Sequence, residues 1–199
     1  PLSYPLHCAR WMIEPSDEAR ENLLRVTGRR GINGSLLAGW LLSIGQKQAA
    51  KEVLEVLDCQ EALPMLWRAS LSDDANKRQR LIAEAERCHP QKVRFPNTLD
   101  EVQMLQTLSD SAFARYLLGC LWYSKRRYEE AVSCWRETLA KSPDYAPAHR
   151  LLGVYAWNKQ QDAAQALAYL QRAVELEPEN ARFLFELDFL QKSLGTPVN

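Results

Sequence analysis

An excess of charge of either sign is what this 199-residue sequence most plainly lacks, since 25 Lys and Arg are balanced by 25 Asp and Glu. A neutral chain carries no electrostatic footprint for nucleic acid or for an anionic membrane surface, so neither is expected as a partner. Long apolar runs are missing too, and nothing approaches the roughly 20 residues of a membrane span. The first residues, PLSYPLHCARW, have neither the charged nor the apolar region of a signal peptide, and no initiator Met. The expectation is a piece of a longer protein. Cysteine is sparse and odd in number, and Cys8, Cys59, Cys88, Cys120 and Cys134 contain no CxxC pair. That argues against a disulfide scaffold and for small buried thiols kept reduced in the cytoplasm. No stretch alternates apolar and polar residues long enough to propose a strand.

Catalytic chemistry is equally hard to find. His7, His89 and His149 have no carboxylate or cysteine at metal-ligand spacing, and the adjacent pair Cys88-His89 does not face one site. The glycines from Gly28 to Gly34 lack both the P-loop lysine and the dinucleotide spacing, so they read as a connector in which Arg29 and Arg30 are solvated. Asp73-Asp74 and Glu129-Glu130 fall in first helical turns, where acids complement the helix dipole. No catalytic residue, cofactor or metal is assigned.

What is present is a helical pattern stated twice between Ala112 and Pro178. Leu118-Gly119 returns as Leu152-Gly153, 34 residues later; Ala131 matches Ala166, Trp135 matches Leu170, Thr138 matches Ala173 and Pro143 matches Pro178. The second copy is one residue longer, and the extra residue falls in the polar turn around Asn158–Gln161. Each position has a physical task. Glycine and alanine let two helices cross closely, the tryptophan or leucine fills the space beside them, and proline stops the second helix. A third copy starts at Ala181 with Leu184 and Leu187, places Asp188 where Gly stood, and ends after one helix, Asn180 to about Ser193.

Upstream, the pattern degrades. Pro1 to Pro15 reads as an extended lead-in. A helix capped by Ser16 or Asp17 carries Ala19, Leu23 and Leu24 inward. From Ser35 a loose copy places Leu37-Ala38, Leu41, Gly45, Ala50, Leu54 and Leu57 at repeat spacing. Glu61 to Leu71 and Asp73 to Arg87, the latter capped by Ser72, follow. After a linker from Cys88 to Pro96, Thr98-Leu-Asp-Glu101 is a capping box; Asp110 is expected to cap the next helix.

A 34-residue period with these residues resembles the tetratricopeptide repeat, two helices per unit. The resemblance implies an all-α fold, a right-handed α-solenoid of about eleven helices. Its divisions are an extended lead-in over 1–15, degenerate hairpins over 16–110, two clear repeats over 111–178, and a capping helix or truncated repeat over 179–199. More narrowly, Tyr116-Leu-Leu-Gly119, Arg127-Tyr-Glu-Glu-Ala131, Trp135, His149-Arg150-Leu-Leu-Gly153, Glu186-Leu-Asp188 and Leu194-Gly195 are similar to the tetratricopeptide segment of large bacterial proteins of unknown function. In those a carbohydrate-related β-sandwich domain precedes the helices. Any sugar chemistry would then sit outside this chain.

In such arrays the first helices line an inner groove. The resemblance places Phe113, Tyr116, Cys120, Tyr123 and Ser124 there from the first copy, and Pro147, Arg150, Val154, Trp157 and Asn158 from the second. The third supplies Arg182, Phe185, Phe189, Lys192 and Ser193. Aromatic and basic residues are the types enriched at binding hot spots. Two readings stay open: a groove free for a protein or peptide, and one filled by a flanking domain or by the N-terminal segment. Some members hold acidic tails with a Lys-Asn clamp, but Tyr116, Cys120, Arg150 and Val154 occupy its places here. The expected function is a non-catalytic module for protein–protein interaction or domain docking. The alternative is an accessory part of a carbohydrate-active enzyme, shaping its substrate site or oligomer.

Overall fold

The computed structural model describes residues 4–28, 31–57, 60–88 and 93–195. It contains twelve α-helices and, among the described residues, no strand. The chain divides into two compact units, 1–108 and 109–199.

In the first unit, α1 (Tyr4–Ile13) pairs with α2 (Asp17–Thr27), α3 (Gly31–Ser43) with α4 (Lys47–Leu57), and α5 (Ala62–Leu71) with α6 (Ala75–Glu86); α7 (Leu99–Thr107) packs on α5. The expected lead-in is therefore corrected, because residues 4–13 are helical. Pro5 falls in the first turn, where its missing N–H has no helical partner to lose, and Pro15 lies beyond the end. Ser16 caps α2, its hydroxyl accepting from the Ala19 N–H, and Gly28 closes it in the left-handed region at φ 62°. α3 begins at Gly31, so the glycine-rich connector is shorter than expected; Arg29 and Arg30, like Cys59 and His89, lie outside the described residues. α5 is the centre of this unit, with every residue buried except Arg68 and Ser70. Ser72 ends α5 instead of capping α6, which Asp74 caps through the Asn76 and Lys77 N–H groups.

The capping box at α7 is present and reaches further than its motif. Glu101 is buried; one carboxylate oxygen accepts from the Asn97 and Thr98 N–H groups at 2.6 and 2.9 Å, and the other meets Arg94. One side chain thus fixes both the helix start and the segment before it.

The second unit holds the clear repeats: α8 (Ala112–Ser124) with α9 (Tyr128–Lys141), α10 (Ala146–Tyr155) with α11 (Ala163–Leu176), and α12 (Ala181–Ser193) packed on α11. Ser111, one residue after the expected Asp110, caps α8 by accepting from the Ala114 N–H. A Cβ on Gly119 would stand 2.6 Å from Trp135 Cδ1 and 3.1 Å from the Ala131 carbonyl oxygen. On Gly153 it would stand 2.9 Å from Leu170 Cγ and 3.2 Å from the Ala166 oxygen. The residues matched by sequence are those that touch across each helix crossing. Cys8 and Cys134 are buried, as core thiols should be.

The two copies differ where the extra residue enters. After α8, Arg126 is left-handed at φ 62°, and the Arg126 and Arg127 N–H groups donate to the carbonyls of Tyr123 and Trp122 at 3.0 and 2.9 Å. This is the Schellman closure of a helix. After α10 the helix widens into a π turn, Ala156–Gln160, before Gln161 takes the left-handed place at φ 56°. The Asp162 N–H then reaches back one residue further, to the Ala156 carbonyl at 3.0 Å. A single inserted residue is absorbed as a π bulge, leaving both flanking helices intact.

Candidate binding face

α8, α10 and α12 are the first helices of successive copies, and the expected groove residues come from them. The structure brings some of these together and removes others. Phe113 is buried at 4% exposure, so it belongs to the packing and not to an open face. Tyr123 turns toward α9, its ring centroid 5.2 Å from that of Tyr128 and 5.6 Å from that of Trp135. Tyr116 and Cys120 are partly buried. The Tyr116 ring packs 5.2 Å from Tyr145, and burial pushes its hydroxyl well above the usual phenol range. Burial also pushes the Cys120 thiol up to about 12, so it is a neutral wall group at physiological pH.

Arg150 occupies the middle. Its Nε and Nη2 donate to the two carboxylate oxygens of Glu186 at 2.7 and 2.5 Å, joining α10 to α12. The Arg150 side chain is 13% exposed and that of Glu186 21%. Burial alone would raise the Glu186 pKa, but the hydrogen bonds and charges of Arg150 and Arg182 outweigh it and the net shift is downward. Arg182 adds a contact at 3.2 Å, and Lys192 pairs with Asp188 at 2.7 Å within α12. Asp188, at the glycine position, is thus engaged by its own helix.

Beside this ionic cluster lies an apolar pocket of about 170 Å³. Val154, Trp157 and Asn158 form one wall, Leu170 and Leu190 stand at its base, and Phe185, Glu186 and Phe189 face them. Phe185 and Phe189 are 68% and 55% exposed. Two large rings in water, four residues apart on one helix, form an apolar patch and not a single scattered residue; Leu36 and Trp40 on α3 are a second exposed pair.

Sequence reasoning passed over Glu186 as a groove residue. It follows the groove position Phe185 by one residue, and its partner lies 36 residues away, so no local spacing links them. The only available signal was an acidic residue beside the groove position that follows an arginine-bearing one.

A hollow in the first unit is lined by Lys51, Glu55, Arg68, Asp73 and Lys77 among others. Its opposite charges meet one another, with Lys51–Asp73 at 2.6 Å, Lys77–Glu55 at 2.8 Å and Arg68–Glu55 at 3.0 Å. His149 contacts the Pro143 carbonyl through Nε2 at 2.8 Å and lies near the Tyr169 ring. Among the described residues no group of three or more His, Cys, Asp or Glu is placed to hold a metal ion, and no helix is long and apolar enough to cross a membrane.

The tetratricopeptide repeat family profile matches residues 116–181 and 159–187. Among solved structures, the chain is similar to MamA from Desulfovibrio magneticus RS-1, at 17% identity over 83% of this chain and 86% of that one, with a TM-score of 0.45. It is also similar to YrrB, described as a TPR protein with an unusual peptide-binding site. There the identity is 14% over 92% and 87% of the two chains, and the TM-score is again 0.45. The C-terminal part of a TPR repeat-containing protein from Cytophaga hutchinsonii gives 14%, 96%, 86% and 0.39. Over residues 116–187 the chain is similar to the tetratricopeptide repeat family.

Proposed function

We propose that the chain is a non-catalytic interaction module whose second unit takes an extended peptide, or a segment of a partner protein, along the face built by α8, α10 and α12. The observation that carries this reading is the exposure of Phe185 and Phe189 beside Trp157, next to an ordered Arg150–Glu186 pair. Half-exposed aromatics set beside fixed polar groups are the composition of a binding hot spot. The same face would serve for docking a flanking domain of a longer chain, since the physical requirement is the same.

The test is selection of a displayed random-peptide library on the full chain, with each selected peptide retitrated against Trp157→Ala, Phe185→Ala and Arg126→Ala. Loss of at least tenfold in affinity at the first two, with the turn variant unchanged, supports the reading. Selected peptides that bind all three alike place the binding surface elsewhere.

A further inference from the structure

We infer that Glu186 sets the charge selectivity of this face, and that the ligand class is a peptide bearing one uncharged apolar anchor, Phe or Leu, and not an acidic tail. The inference rests on the binding face proposed above and specifies its chemistry.

Arg150 stands on α10 and holds Glu186, a residue that lines the pocket. Both of its forward-facing nitrogens already hold Glu186, in the two-pronged geometry that a peptide carboxylate would need. The chain supplies its own carboxylate there. An incoming anion would have to displace Glu186, leaving a largely buried carboxylate with only Arg182 beside it. Taking one member out of such a pair is costly, because the other is left as an uncompensated charge. Lys192 meets Asp188 through a single exposed contact at 2.7 Å within α12. Each of these cations already meets a carboxylate of the same face, Arg150 and Arg182 sharing Glu186, and the pocket beside them is what an apolar side chain can still fill.

That pocket has the size and lining for one side chain. At about 170 Å³ it compares with an apolar cavity of about 150 Å³ that accepts benzene. Val154, Trp157, Leu170, Phe185, Phe189 and Leu190 line it. The π turn contributes directly, since both Trp157 and Asn158 belong to it. A second copy of the chain fits less well. The exposed fractions of Phe185 and Phe189 amount to roughly 250 Å² of ring surface, whereas a stable interface needs about 800 Å² from each partner.

The experiment titrates the 199-residue chain with two capped peptides, acetyl-Gly-Gly-Phe-Gly-Gly-amide and its Glu counterpart, following the Trp157 indole N–H resonance, assigned by Trp157→Phe. The Phe peptide should bind at least fivefold tighter than the Glu peptide, and Phe185→Ala should weaken it at least threefold. Glu186→Gln, nearly the same shape, should strengthen the Glu peptide at least fivefold, and adding Arg150→Gln should cancel that gain. Circular dichroism checks that each variant is folded. Equal or tighter binding of the Glu peptide to the wild-type chain would overturn the inference, as would a Glu186→Gln variant that binds it no better. If library-selected peptides shift resonances near Arg150 but leave Trp157 unmoved, the pocket assignment fails while the binding face stands. If no peptide binds at all, both fail.

Discussion

Gly119 and Trp135 are in such close register that a single methyl group on the glycine would overlap the indole ring; Cδ1 would lie 2.6 Å from the new carbon. Trp135 is fully buried, so the ring has no room to retreat. Gly153 differs, because its nearest neighbour is the Leu170 side chain, at 2.9 Å, which can change rotamer.

Gly119→Ala should therefore destabilise the protein by about 1–3 kcal/mol through overpacking, despite alanine's helix propensity advantage of about 1 kcal/mol. Gly153→Ala should lie near zero, overlap and propensity offsetting. Urea unfolding of the two variants measures the difference, and a Gly119→Ala protein more stable than wild type would show that the crossing is looser than described.

Arg126 holds the left-handed position that closes α8, at φ 62°. A non-glycine residue there costs roughly 1–2 kcal/mol. Arg126→Gly should stabilise the chain by about 1 kcal/mol, whereas Arg126→Ala should stay within about 0.5 kcal/mol. Thermal melts of the pair check this, and indifference to glycine would contradict the assigned turn.

Glu101 satisfies two backbone N–H groups and Arg94 from a buried position. Glu101→Ala leaves those donors without the carboxylate and should cost about 2–3 kcal/mol. Glu101→Gln keeps one oxygen acceptor and should cost less. A surface-like loss below about 0.5 kcal/mol in urea titration of Glu101→Ala would contradict the anchoring role.

The repeat register, the close crossings and the α7 capping box were legible in the sequence because each rests on local chemistry. Gly119, Ala131 and Trp135 announce a crossing by size alone, and Thr98 with Glu101 announces a helix start by spacing. Two things were not legible for the same reason. The resemblance assigns Phe113 and Tyr123 to a groove but does not say what lies across from them; the structure buries the first and turns the second toward Trp135. The Arg150–Glu186 pair depends on where α12 docks, which no segment of the chain states by itself. α1 was missed because its prolines look like breakers, yet Pro5 sits in a first turn, where proline is compatible with a helix.

Acid should loosen α12. The Glu186 pKa is lowered in the folded chain from 4.5. A carboxylate with a depressed folded pKa contributes stability that is present above the unfolded value and lost as the pH falls through the folded one. Between neutral pH and the window below about 4.5, wild type should lose more stability than Glu186→Gln, which has no proton to take up there. Parallel urea midpoints across that range provide the measurement, and identical losses would show that the pair does not hold α12 in place.

The most direct test of the account replaces Phe189 by p-benzoylphenylalanine and cross-links a library-selected peptide to the full chain. Arg136, exposed on α9, serves as the control position. The account predicts a peptide adduct from position 189 and none from 136. Adducts from 136 with none from 189 would contradict the binding face of α8, α10 and α12.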